Sequence, residues 1–302
     1  MAASPCTAAG HLYVADTTAG LVYRFPLGAD GLPKTTPDAT LSGGLTSPFG
    51  LAFDRAGNIF VSDEKSGVVN VYPPGSTGDA TPARQISVGT DWVGFVGVDR
   101  RGDVFVNDLN VNAVYVYAPG SSGRAAPLRT LSIWGQSNPI RDFILDSAGR
   151  LYVTSYSRAI DVFDDPVQQW NHPDHYLFPE GGYEWTFLSA LALDDAGHVY
   201  LNFSPKDTSP PYAADDFAVR RLPGYGSAGA NDALIMTKDC RGSGHSPGTD
   251  VGAAVNGSYL MFTCVDRDLG VMVYKAAPGE QKLVEKIGAT VFRSVGDVKI
   301  GP

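Results

Sequence analysis

Ser47-Pro-Phe-Gly-Leu-Ala-Phe-Asp54-Arg-Ala-Gly57-Asn-Ile-Phe-Val-Ser-Asp63 is a complete structural phrase. A short apolar strand runs into an Asp-and-Gly turn, and a second apolar strand follows and ends in Asp. Gly takes the left-handed backbone that tight turns require, and Asp hydrogen-bonds its own turn. The phrase returns as Val96-Gly-Val-Asp99-Arg-Arg-Gly102-Asp-Val-Phe-Val-Asn-Asp108 and as Phe143-Ile-Leu-Asp146-Ser-Ala-Gly149-Arg-Leu-Tyr-Val-Thr-Ser155. A fourth copy is Leu191-Ala-Leu-Asp194-Asp-Ala-Gly197-His-Val-Tyr-Leu-Asn-Phe203, and a shorter turn, Asn256-Gly257, carries a fifth that ends at Asp266. The sixth is divided: His11-Leu-Tyr-Val-Ala-Asp16 lacks its first strand, which stands at the other end of the chain as Val295-Gly-Asp-Val-Lys-Ile300.

The second strands of the first five units end about 45–48 residues apart, and the longer step to Asp266 places an insertion there. Four short strands per unit at this period predict an all-β fold: a six-bladed β-propeller of four-stranded antiparallel blades, formed by residues 1–302 as one domain. The C-terminal strand is expected to pair with the N-terminal blade and close the ring. With 43% hydrophobic and 18% charged residues the chain can build a core. A net charge of −9 argues against a nucleic-acid partner, and no apolar stretch is long enough to span a bilayer.

Chain direction sorts the loops. With the four strands of a blade lettered A to D from the axis outward, the A–B turns and C–D loops share one face, and the B–C and D–A loops share the other. The repeated C–D loops Pro73-Pro-Gly-Ser-Thr-Gly78 and Ala118-Pro-Gly-Ser-Ser-Gly123 read as uniform, flexible connectors. Charges, aromatic residues and insertions gather on the B–C face, so a site is expected in the axial funnel there.

The Ser47–Asp63 phrase resembles the NHL repeat and is similar to units of the gluconolactonase-like (senescence-marker-protein) propellers. That superfamily includes metal-dependent lactonases and esterases, lyases, and modules that only bind. The Glu-Gly-Pro phrase that carries a metal ligand in gluconolactonase-like members has no counterpart; the matching segment is Ser294-Val-Gly-Asp297. No catalytic residue carries over from the resemblance.

The residues themselves offer candidates. Asp63, Asp108 and Asp266 recur at one position, with Asp16, and could form an acidic cation site. Alternatively each accepts hydrogen bonds from the turn that follows it. Arg141-Asp142 is a charged pair in an inner-strand row read as Phe49-Gly50, Gly94-Phe95, Ser189-Ala190, Val251-Gly252 and Val295-Gly296. Asp142 is therefore the first candidate for catalysis or metal binding, and Arg141 for a ligand carboxylate; the alternative is that the pair neutralises itself or links a neighbouring blade. His245 is a second catalytic candidate, although Gly244-His-Ser-Pro-Gly248 makes a poor nucleophile elbow because Pro247 has no N–H to offer an oxyanion. Trp92, Tyr156, Arg158, Tyr183, Glu184 and Arg267 are expected around the funnel as ligand contacts. Trp92 and Tyr183 could instead pack between blades.

Cys240 and Cys264 fall on one face of adjacent units, where a disulfide could staple the insertion; three inert thiols are the other reading. A disulfide would mark an exported protein whose signal peptide precedes Met1, secreted or periplasmic, against a cytoplasmic alternative. The function expected is a monomeric propeller binding a small molecule or glycan. The alternative is a metal-assisted lactonase or esterase, or a lyase, with calcium or zinc as the divalent cofactor.

Overall fold

The structure is a computed structural model that describes residues 10–132, 140–155, 159–167, 172–177, 185–205, 217–222, 233–237, 252–264, 270–288 and 291–302. Its strands form six blades in a ring. From the axis outward, blade 1 is Val298–Gly301, His11–Asp16, Leu21–Pro26 and Ala39–Leu41. Blade 2 is Pro48–Phe53, Ile59–Asp63, Val68–Tyr72 and Arg84–Ser87, and blade 3 is Val93–Val98, Val104–Asp108, Ala113–Tyr117 and Arg129–Ser132. Blade 4 is Ile140–Leu145, Leu151–Ser155, Ile160–Phe163 and His175–Leu177. Blade 5 is Trp185–Leu193, Val199–Pro205, Phe217–Leu222 and Ala233–Thr237. Blade 6 is Ala253–Val255, Tyr259–Cys264, Gly270–Lys275 and Glu285–Ile287.

Closure occurs as the divided copy predicts: Val298 pairs with Val14, Lys299 with Tyr13 and Ile300 with Leu12, antiparallel. The reason is burial. Second strands such as Ile59–Asp63 are buried at every position, because each blade is covered on both faces by its neighbours. Buried apolar side chains fall into six clusters, each shared by two adjacent blades and including the pair that joins blade 6 to blade 1. Among the described residues no cluster is confined to one blade, so the ring must close to cover all of them.

The A–B turns behave alike. Asp54 Oδ1 accepts the N–H groups of Ala56 and Asn58, and Asp99, Asp146 and Asp194 do the same in their own turns. Gly57, Gly102, Gly149 and Gly197 take the left-handed conformation that ends each turn, at φ 82, 88, 90 and 83°.

The C–D loops are not mere connectors, contrary to their sequence reading. Gly78 of blade 2 lies beside the outermost strand of blade 1: its N–H donates to Thr40 O, and its carbonyl accepts from Ser42 N. Gly123 of blade 3 repeats this with Gln85 O and Ser87 N of blade 2. In blade 6 the corresponding loop contributes Gly279–Glu280 as a short parallel fifth strand on Ala233–Thr237 of blade 5. An outermost strand is an edge with unpaired backbone groups. Each of these loops clasps the preceding blade and covers part of that edge.

Candidate functional site

The innermost strand of every blade turns one backbone edge toward the axis. Strand pairing sets the register there. Leu51, Val96, Phe143, Leu191, Ala253 and Val298 sit opposite Val61, Val106, Val153, Leu201, Phe262 and Val14. The residues just before them are Gly50, Phe95, Asp142, Ala190, Gly252 and Asp297. The sixth copy of the row is thus Gly296-Asp297, not Val295-Gly296, and Asp142 does not stand alone. Asp142 belongs to blade 4 and Asp297 to blade 1, on opposite sides of a six-membered ring.

The two carboxyls do the same work. Asp142 Oδ1 accepts the N–H of Phe143, and Oδ2 accepts that of Leu191 on blade 5, each at 2.7 Å. Asp297 Oδ1 accepts Val298 N–H at 2.8 Å, and Oδ2 accepts Leu51 N–H on blade 2 at 3.1 Å. Each Asp ties its own inner strand to the free edge of the next blade. Both are fully buried. A buried N–H without an acceptor would be costly, so this placement gives Asp142 a structural task whatever else it does.

Lys299, two residues beyond Asp297, brings an ammonium 3.2 Å from Asp297 Oδ1. The equivalent positions are Ala52, Gly97, Ile144, Ala192 and Ala254, so the row otherwise holds only uncharged residues. Sequence reasoning passed over Lys299; the correct register of the sixth copy would have exposed it as the one charge in its row. Its side chain keeps 22% of its surface open to the channel, while Asp297 keeps none. Burial pushes the Asp142 carboxyl up to about 7, against the pull of Lys299 and with help from the Asp297 charge. Asp297 is raised by burial as well, with Lys299 opposing. Burial works against the Lys299 cation, but the attraction of Asp297 and Asp142 outweighs it and holds its pKa above the usual lysine value. The two carboxyls influence each other's titration, while Lys299 stays charged beside them.

On the A–B side of this group the channel widens into a cavity of about 430 Å³. Its lining runs through residues 51–53, 96–98, 143–145 and 253–255 of the inner strands, with Lys299 and Asp195 as its charged members among the described residues. The described cavity thus lies toward the A–B turns, whereas the sequence pointed to the B–C face. Of the residues named for that face, Tyr156, Arg158, Tyr183, Glu184, His245, Asp266, Arg267 and Cys240 lie outside the described residues. Trp92 is 52% exposed, and its carbonyl accepts Leu109 N–H. Arg141 is half-buried on the inner strand of blade 4. Cys264 is disulfide-bonded.

The recurring Asp residues act as loop ties. Asp63 accepts the N–H and hydroxyl of Thr46, the N–H of Ser47 and the hydroxyl of Ser66, joining its strand to the loop that enters the blade. These bonds hold its carboxyl below the usual range even though burial, the largest influence, acts upward. Asp16 accepts Ala19, Arg293 and Ser294 N–H groups in the same way. Asp108 Oδ1 accepts Asn110 N–H, and Asn112 Oδ1 accepts Ile140 N–H on blade 4. Among the described residues no three His, Cys, Asp or Glu side chains gather as a metal site. Also among them, no helix is long and apolar enough to cross a membrane.

The sequence matches no known protein family and no curated protein. Solved structures do match. The β-propeller domain of Cps50 (Swd1) from Myceliophteria thermophila superposes with a TM-score of 0.57 at 10% identity, covering 95% of this chain and 86% of that one. The WD40 β-propeller domain of Doa1 gives 0.54 at 12% identity, covering 89% and 77%. Both are similar to this chain in fold. The NHL resemblance therefore stands at the level of the propeller, and the Doa1 domain is a WD40 rather than an NHL propeller.

Proposed function

We propose that this protein is a ligand-binding propeller whose axial channel takes a small molecule with an apolar body and one acidic group. The observation that carries this reading is the cavity itself: about 430 Å³, walled by inner strands, with the Lys299 side chain, 22% exposed, in its lining. Ligand sites commonly have this size, with a few placed polar groups that fix the ligand's orientation. An ammonium has three donors, and Asp297 takes one. A carboxylate or sulfonate is the complementary ligand group. The NHL-like phrase supports a binding role, since that superfamily includes modules that bind without chemistry. The disulfide at Cys264 supports passage through an oxidising compartment.

The test uses 1-anilinonaphthalene-8-sulfonate, an apolar aromatic body with one sulfonate, as the probe. It is expected to bind saturably, one per chain. Lys299→Met weakens it about tenfold, as loss of one charged contact should. Ala254→Leu, which adds bulk to the lining on the adjacent blade, abolishes it. Unchanged binding in both folded variants refutes the axial site.

A further inference from the structure

The A–B turns carry a second feature that the axial channel does not use. Their scaffold needs only the Asp that accepts the turn amides and the Gly that closes it; the two residues between them are exposed and free to vary. They read Arg55-Ala56, Arg100-Arg101, Ser147-Ala148 and Asp195-Ala196 in blades 2 to 5. Three arginines thus fall on two adjacent turns, where folding requires none. Their side chains line one cleft of about 230 Å³, completed by Asp99 and by Ala148 and Gly149 of blade 4. Arg100 Nη2 donates to Ala148 O at 3.2 Å, spanning from blade 3 to blade 4.

Charge in this cleft is unbalanced. Asp99 is the only carboxylate among the described residues of its lining, and its Oδ1 is taken by the N–H groups of Arg101 and Asp103. Among the described residues, none of the three guanidinium groups is in an ion pair. The chain as a whole carries −9, so this basic cleft runs against its overall field. Guanidinium forks match planar and tetrahedral oxyanions, and several around one space favour an anion with more oxygens and charge than a single carboxylate.

We propose that the cleft formed by Arg55, Arg100 and Arg101 binds a phosphoryl group, as inorganic phosphate or as a small phosphate monoester. This site is separate from the axial cavity and does not depend on it. The experiment is a calorimetric titration of the full chain at low ionic strength with three probes: inorganic phosphate, glycerol 3-phosphate and acetate. Saturable phosphate binding with a Kd of about 1 mM is expected, weakening as salt is added, with acetate at least about tenfold poorer. Tighter binding of the monoester identifies an esterified ligand, and tighter binding of free phosphate identifies the ion itself. Arg55→Gln and Arg101→Gln each reduce affinity about tenfold. Arg124→Gln, in the exposed C–D loop of blade 3, leaves it unchanged. Amide shifts in an NMR titration fall on residues 55, 99–101, 148 and 149. Absence of saturable phosphate binding, equal binding by the Arg55/Arg101 double variant, or shifts centred elsewhere overturns the proposal.

Discussion

Asp142 shows how far one residue can be read from a sequence. Its charge stands out in a row of small and apolar residues, and that much was visible. Its counterpart Asp297 was hidden because the sixth inner strand ends at Gly301-Pro302, with no Asp-x-x-Gly turn after it to fix the register. Only the pairing of Val298 with Val14 aligns the two. The consequence is testable by pH. The folded-state pKa of Asp142 is raised to about 7 from the ordinary 3.8. Between those values the native chain keeps a proton that the unfolded chain has released. Its contribution to stability is therefore complete at the acid end and is lost as pH rises through about 7, by at most about 1.4 kcal/mol per unit. Asp297 shifts in the same direction and Lys299 stays charged. Asp63, Asp38 and Asp194 shift the other way, so their loss appears at lower pH. Urea titrations at pH 5, 6 and 7 should show wild-type stability falling relative to Asp142→Asn, which cannot release that proton. Parallel profiles would mean that Asp142 titrates like an ordinary surface acid.

At the scale of elements, strands were more legible than loops. A strand announces itself through apolar runs and turn residues, because those determine its burial. A loop's task depends on which neighbour it touches, and no local pattern encodes that. The Pro-Gly-Ser phrases illustrate the point: their repetition was plain, but their contact with the preceding blade was not. The closing glycine was the available signal. Gly78 and Gly123 have φ of 62 and 63°, and a Cβ at either would meet nothing within 4 Å. Substitution there should act through backbone strain alone. Gly78→Val is expected to cost about 1–2 kcal/mol, seen as a lower urea midpoint, whereas Gly78→Asn costs less because Asn tolerates this region. If the clasp protects the outer edge, Gly78→Val also speeds proteolytic cleavage near Leu41 more than elsewhere. Equal effects of Val and Asn would show that the positive φ is not what the loop requires.

For the whole molecule, the repeat period contained the architecture because each blade can bury its faces only against others like it. Six shared apolar clusters join each blade to its neighbours, so the blades are expected to melt together. One seam lacks covalent continuity: the inner strand of blade 1 comes from the far end of the chain and is held by strand pairing. Val298 is fully buried in the cluster between blades 6 and 1, and Ile300 packs against it. Burial of Val298 alone contributes about 1.5–3 kcal/mol. Pro302 O also accepts the Tyr13 hydroxyl, and Asp297 holds the inner edge of blade 2 through Leu51. Truncation after Gly296 removes all of these together and leaves His11–Asp16 as an exposed edge. The shortened chain should keep β-sheet circular dichroism in its remaining blades but lose its single sharp melting transition. A synthetic peptide of residues 294–302, added in trans, should restore that transition by strand addition, since backbone pairing supplies affinity and Val298 and Ile300 supply register. A truncated chain that melts like the intact one would place the stability of this propeller within its blades and not in the closure of its ring.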